Sequence, residues 1–277
     1  MQVYLIKRLM LFIPTMLLVF TLVFVILRVV PGDPAVAMLS GGAQTEKAFT
    51  QEDVDRLKAK LGTDRPLVVQ YGDWIWGLTR LDFGTSFFYD QPIWDDIKDR
   101  FPITFELTVL ALLMAGIVAV PLGVLSAIKQ DSLPDYIGRI ITIGGIAIPN
   151  FWIGILMVFF LANVFDWLPP LGYTDIWKDP WTNLQQLVFP ALALAITHMA
   201  FVGRVTRSAA LEVIREDYIR TARSKGLSEK IVIWRHVLKN ALLPVVTVAG
   251  YEFGRLMGGT VLIETIFNVP GMGQLLI

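Results

Sequence analysis

The chain contains no cysteine, which excludes a disulfide framework, a thiol nucleophile and a zinc–thiolate centre but leaves the compartment open. Its two histidines, His198 and His236, are too few for an imidazole-built metal cluster, although a chelated metal carried as cargo needs no protein ligand. Charged residues make up only 17% of the 277, and their net charge is zero, which argues against nucleic acid as a partner. No G-x-x-x-x-G-K-[ST] run occurs, so no loop of this chain can cradle nucleotide phosphates. HExxH, GxSxG and a paired-aspartate constellation are missing as well, which argues against an enzyme embedded in the membrane.

What is abundant is apolar sequence. Hydrophobic residues are 55% of the chain and the mean hydropathy is +0.59, the signature of an all-α polytopic membrane bundle. Five spans are expected: Leu9 to Val30, Ile103 to Ala127, Ile137 to Phe165, Leu187 to Val205 and Ala241 to Phe267. The first is too long for a signal peptide and lacks a small-residue cleavage site, so it stays as a span. Lys7 and Arg8 before it put the N-terminus in the cytoplasm. Residues 1–30 thus form a first segment, 31–100 an external region with twelve acids to eight bases, and 101–277 the bundle core.

Several local signals refine this outline. PGDP at 31–34 reads as a turn, and Thr50 as the cap of a helix with Val54, Leu57 and Leu61 on one face and Gly62 at its end. A second external helix begins at Pro66, and its Tyr71, Trp74, Trp76 and Leu78 suit a lipid interface or a small core better than a ligand box. Thr104 and Glu106 fall in the first turn expected for span two. Span three is long enough to be tilted or broken, with the break at Pro149-Asn150; Asn150 there fits a cavity lining and a packed kink equally. His198 interrupts span four, as a buried hydrogen-bonded residue or as a pathway contact. In span five Gly250, Gly254 and Gly258 share one face, a spacing that lets helix backbones approach, so that face is expected to pack against another helix. Glu252 and Arg255 lie three apart and can pair, as a pathway lining or as a structural ion pair.

Charge concentrates in the loop from Arg204 to Asn240, with nine bases to four acids; this places it in the cytoplasm. Leu211, Ile214, Tyr218 and Ala222 recur at helical spacing up to Lys225. Gly226 then supplies a turn, Ser228 caps a second short helix, and Leu227 and Val232 occupy hydrophobic-staple positions.

The run YIRTARSKGLSEKIVIWRHVLKNALLP resembles the cytoplasmic loop of ATP-binding-cassette importer permeases, with its Glu-Ala-Ala, three residues, Gly, then Ile-x-Leu-Pro pattern. Arg220, Thr221 and Ala222 match the first three places and Gly226 the turn. Two departures, the basic first place and seventeen residues between Gly226 and Pro244, are similar to the dipeptide, oligopeptide and nickel branch. So is the run of Arg235, His236, Asn240, Ala241 and Pro244. PGDP, LGTDRPLVVQY, LDFGTSF and QPIWDDIKDRFPITFEL extend the likeness over almost the whole chain.

The resemblance implies a transport subunit of type I importer architecture that binds no cofactor and is not itself an enzyme. ATP and Mg would sit on two separate ATPase subunits. Asp217, Tyr218, Arg220, Thr221, Ala222, Lys225, Gly226 and Leu227 would form the loop those subunits grip. A second, similar permease would complete the pathway as a heterodimer, with a homodimer the alternative, and an extracytoplasmic binding protein would deliver cargo. Di- or oligopeptides are the leading cargo; nickel chelates and glutathione-like compounds are alternatives. An ion-coupled secondary transporter, with Glu252 and His198 as coupling groups, is the rival of a different class, weakened by the lack of internal repeats. ETIFNVPGMGQLLI resembles the family segment that precedes a sixth span, so the resemblance implies a further span after Ile277.

Overall fold

The computed structural model describes residues 2–29, 32–39, 50–86 and 91–276. They form two compact units, Met1–Trp94 and Asp95–Ile277. Among the described residues the structure is helical, apart from one isolated bridge between Thr85 and Pro92.

The first unit contains α1 (Gln2–Val29), α2 (Pro34–Leu39), α3 (Gln51–Leu61) and α4 (Leu67–Thr79). α1 begins well before Leu9 and runs through Pro14 without interruption. The expected span end at Val30 and the first residue of the PGDP turn, Pro31, lie outside the described residues. No side chain of α1 is buried, which suits a helix surrounded by lipid. Phe20 and Phe24 of α1 meet Trp74 and Tyr71 of α4 edge-on, at centroid distances of 6.0 and 5.2 Å. The Thr21 and Tyr71 hydroxyls are hydrogen-bonded at 2.6 Å. Those aromatics are therefore a small core, while Trp76 stays exposed beneath the Arg80 guanidinium. Thr50 caps α3 in a reciprocal box with Asp53, and Gly62 ends it at φ 65°.

The second unit begins with α5 (Ile93–Ile128), α6 (Leu133–Ala147), α7 (Asn150–Phe165) and α8 (Pro180–Ile214). α5 and α8 both extend past the expected spans, because apolarity marks only the part of a helix that lipid surrounds and not its ends. Asp95 and Asp96, not Thr104 and Glu106, therefore occupy the first turn of α5, where acids suit the helix dipole. Glu106 instead accepts a 2.6 Å hydrogen bond from Tyr173 in the α7–α8 loop. Burial and that neighbouring carboxylate hold the Tyr173 phenol well above its usual range, so it remains a donor. α8 starts at an Asp179 cap with Pro180 in its first turn, and His198 does not interrupt it. With 35 residues it is about 52 Å long, more than the roughly 30 Å hydrocarbon layer.

Span three is broken at the expected point: α6 and α7 meet at 96°. Ile148, held extended ahead of a proline, ends α6, and Pro149 stands before α7 without an N–H to continue the ladder. Four helices among the described residues are long and apolar enough to cross a membrane, or five if the bent pair counts as one span.

After α9 (Asp217–Ser224) come α10 (Glu229–Ile231), a π-helical segment (Val232–Val237) and α11 (Leu238–Gly259), followed by α12 (Val261–Ile266) and α13 (Met272–Leu275). The expected second short helix is thus the head of one helical run into span five. Span five also ends earlier than expected: Gly258 and Gly259 weaken the helix, and the Thr260 hydroxyl turns to Glu264 at 2.7 Å.

α5 and α8 run parallel, with α11 antiparallel to both. Ile103 and Leu107 share one core with Leu187, Ala191, Leu256 and Phe267. At the far end Val124 and Ala127 share another with Ala209, Ala210 and Ala241. The backbones of α5 and α8 come closest at Gly123, where an added Cβ would lie 2.7 Å from Thr206 Cβ and 2.8 Å from the Gly203 carbonyl oxygen. Near the C-terminal end, fully buried Glu264 accepts from Thr104 and Thr260, each at 2.7 Å, and from the Gln274 N–H at 3.0 Å. This carboxylate ties the Val269 to Gln274 turn back onto α5.

The contrast between packed and open glycines is testable. Gly123→Ala should lower stability by about 1–3 kcal/mol through overpacking. Gly250→Ala, whose Cβ meets nothing within 4 Å, should not. Thermal unfolding in detergent compares the two directly.

Candidate functional site

The helical pattern from Leu211 to Lys225 is split. α8 ends at Ile214, Arg215 and Glu216 form the corner, and α9 starts at Asp217. α9 buries Ile219 and Ala222, so the true inward residue beside Ala222 is Ile219, and Tyr218 is 42% exposed. Ile219 and Ala222 pack with Val124, Ala209, Val232 and Val237, which draws α5, α8 and the π segment together around them. Asp217, Arg220, Thr221, Lys225, Gly226 and Leu227 are all exposed. The hairpin therefore has one face embedded in the bundle and one polar face open.

Gly226 turns the chain at φ +78°, a left-handed conformation that glycine adopts without a Cβ penalty. Across the turn Arg223 and Glu229 pair at 2.7 Å. Ser228 stands at the cap position, but its hydroxyl makes no capping bond; its carbonyl accepts from Ile231 and Val232 instead. The two halves of the motif meet where Asn240 donates to the Tyr218 hydroxyl at 2.8 Å. Arg235 and Pro244 are exposed and His236 is half-buried.

At the same end of α5 and α8 as the hairpin lies a knot of polar groups. Asp135, fully buried, accepts from Arg207 Nε and Nη2, both at 2.7 Å, from Arg139 at 2.7 Å and from the Asp131 N–H at 3.0 Å. The Ser126 hydroxyl donates to it as well. One carboxylate thus joins α5, α6 and α8 on the side where the hairpin emerges.

A second polar cluster lies near the middle of α8. Glu252, with 3% exposure, receives Arg255 Nε at 3.0 Å and Nη2 at 2.9 Å on its Oε2. Buried His198 brings Nδ1 to 2.7 Å from the same oxygen, without the alignment of a hydrogen bond. Asn150 stands apart at the head of α7 and has no polar contact with this cluster. Gly250, Gly254 and Gly258 are exposed, and a Cβ on any of them meets nothing within 4 Å. That face packs against no helix among the described residues; helix backbones approach closely at Gly123 and Gly145 instead, and Gly154 packs against the Ile263 and Phe267 side chains. No group of three or more His, Cys, Asp or Glu able to hold a metal occurs among the described residues.

Residues 119–277 match the family model "Binding-protein-dependent transport system inner membrane component", and residues 1–108 match its N-terminal companion. A putative peptide transport system permease protein of Brucella suis is 40% identical over 277 residues, covering 100% of this chain and 86% of its own. The dipeptide transport system permease protein DppB of Alkalihalophilus pseudofirmus is 37% identical, covering 99% and 86%. The glutathione transport system permease protein GsiC of Pectobacterium atrosepticum is 37% identical, covering 99% and 85%. The chain belongs to the binding-protein-dependent transport permeases. It is an inner-membrane, multi-pass subunit of an ATP-binding-cassette importer and not an enzyme; ATP is used by partner subunits, and a substrate-binding component is a further partner.

Three residues that organise this permease carry no local signal. Asp135 reads as one acid in a short polar loop, Glu264 as part of a motif, and Ile219 as one apolar residue among many. Each is defined by partners far off in sequence, so only the packed bundle reveals it.

Asp135→Asn would leave Arg207 and Arg139 sharing a neutral partner. Removing one member of a fully buried pair costs roughly 3–5 kcal/mol. Because Arg139 is 39% exposed, the expected loss is about 2 kcal/mol, read as a lower unfolding temperature of the purified permease.

Proposed function

We propose that this permease imports small peptides and that the hairpin from Asp217 to Leu227 is where the ATPase subunits grip it. The observation that carries this reading is the two-sidedness of α9: Ile219 and Ala222 are buried among three neighbouring elements, while Asp217, Arg220, Thr221 and Lys225 stay exposed. Displacement of the exposed face must move the buried one. Through Val124, Ala209 and Val237 the push reaches α5, α8 and the helical run into α11, and alternating access follows as those helices tilt.

The excess of basic residues in 204–240 puts this face in the cytoplasm, and with it the N-terminus. The region from Pro31 to Arg100 then lies outside, facing the binding protein. A second, homologous permease completes the pathway as a heterodimer, and two ATPase subunits carry ATP and Mg. Within this chain the pathway is lined by Arg255, the exposed member of the His198, Glu252 and Arg255 cluster, and by the open glycine face of α11. Asn150, at the bend between α6 and α7, is a further candidate there. A peptide cargo is supported by relatives named for peptide and dipeptide transport. A glutathione-type cargo is the second reading, favoured by the relative named for glutathione.

Two measurements test this. In vesicles containing the assembled importer, peptide uptake should require ATP and persist without an ion gradient; uptake driven by a gradient alone would favour a secondary transporter. Excess glutathione should not compete if peptides are the cargo. Gly226→Val, which forces a β-branched residue into a left-handed turn at about 1–2 kcal/mol of strain, should leave the bundle folded yet abolish most ATP-driven uptake. Unchanged uptake and ATPase association would remove the hairpin from the mechanism.

A further inference from the structure

The unpaired edge of the Arg255 guanidinium has a definite geometry. On the side edge of the group, Nε donates to one oxygen of Glu252 at 3.0 Å and Nη2 lies 2.9 Å from the same oxygen as an ion-pair contact. Nη1 has no partner among the described residues, and Nη2 keeps the N–H that points away from Glu252, so the two N–H groups of the end-on fork are free. The side chain is 55% exposed although Glu252 beneath it is only 4% exposed. It emerges on the face of α11 that carries Tyr251, Gly254 and Gly258, all exposed. A half-exposed arginine within a membrane span faces water or protein, not hydrocarbon. The glycines beside it leave the backbone bare, which makes room for a ligand to approach.

An end-on guanidinium fork is matched in shape by a carboxylate, which accepts two parallel N–H bonds. Glu252 already balances the charge of Arg255, so the site offers hydrogen-bond geometry with little net attraction. Such a site suits a ligand held briefly in transit. His198 of α8 stands behind Glu252, its Nδ1 2.7 Å from the oxygen that holds the guanidinium. We propose that Arg255 receives the C-terminal carboxylate of a peptide crossing the bundle. This inference rests on the peptide reading above and adds the part of the cargo that the permease itself recognises.

The test compares a free-acid peptide with the same peptide amidated at its C-terminus, in proteoliposomes holding the complete importer and binding protein, with ATP inside the assay. Any preference of the binding protein is common to all permease variants, so the quantity read is the change in the acid-to-amide uptake ratio. Arg255→Gln should lower uptake of the free acid about tenfold, the low end of what one hydrogen bond to a charged group contributes, and leave uptake of the amide as in the unsubstituted importer. Arg255→Lys, which keeps the charge but not the fork, should recover only part of the loss. If R255Q leaves Glu252 stranded and fails to assemble, E252Q/R255Q removes both charges and is read in the same way. Equal loss for acid and amide would make Arg255 a structural or subunit-contact residue and overturn the proposal, as would no loss for either. If the unsubstituted importer takes up neither peptide, the peptide reading itself fails, and this inference fails with it.

Discussion

Ile219 is fully buried, and the behaviour proposed for the hairpin depends on that enclosure. Burying such a side chain is worth about 1.5–3 kcal/mol relative to exposure, enough to seat an eight-residue helix that would be marginal alone. Without this anchor α9 would be a polar segment lying on the bundle, and a push on it would be absorbed by local bending. With it, α9 is joined to α5, α8 and the π segment through one shared core. The Asn240 to Tyr218 hydrogen bond adds a tie to α11. Gly226 lets the chain double back tightly enough for both arms of the hairpin to reach that core.

A similar logic holds deeper in the bundle, where the solvent is lipid and apolar side chains do little to distinguish one helix arrangement from another. Small residues that let backbones touch and polar groups with assigned partners decide it instead. Gly123 against Gly203 and Thr206 supplies the first kind of contact. Three buried acids supply the second: Asp135 joins α5, α6 and α8, Glu252 joins α8 and α11, and Glu264 joins α5 to the segment from Thr260 to Gln274. Asp135 and Glu264 each accept hydrogen bonds from more than one helix, and Glu252 pairs with Arg255 on its own helix while facing His198 of α8, so a shift of one helix past another would strand a charge. Buried charges of this kind can give a bundle a small number of discrete arrangements, which is what alternating access requires.

Much of this was legible in the sequence where the signal is local. Span three breaks at Pro149-Asn150, where Ile148 is held extended ahead of the proline, whereas Pro14 lies inside an unbroken α1. Thr50 and Gly62 bound their helix through a side-chain cap and a left-handed turn, both set by the residue itself. Glu252 and Arg255 pair because three residues of helix fix their separation. The errors came where apolarity stood in for helix length: α5, α8 and the helix leading into span five all continue into polar sequence, and hydropathy cannot see a helix that has left the membrane. The corner at Arg215 and Glu216 was missed because apolar residues keep their spacing across it while the inward register passes to Ile219. The glycine spacing at 250, 254 and 258 was real, but small residues signal room for a neighbour without saying whether that neighbour is in the same chain.

The absence of native cysteine allows the central claim to be tested with single introduced thiols. Thr221→Cys lies on the exposed face of α9, and Trp177→Cys lies in the loop before α8, at the opposite end of that long helix. In the assembled importer, the account predicts that a short thiol-reactive cross-linker joins Thr221→Cys to the ATPase subunit, with a yield that changes when ATP is added, and leaves Trp177→Cys unlinked to it. Cross-linking of the ATPase to Trp177→Cys, with Thr221→Cys unlinked in every nucleotide state, would contradict it.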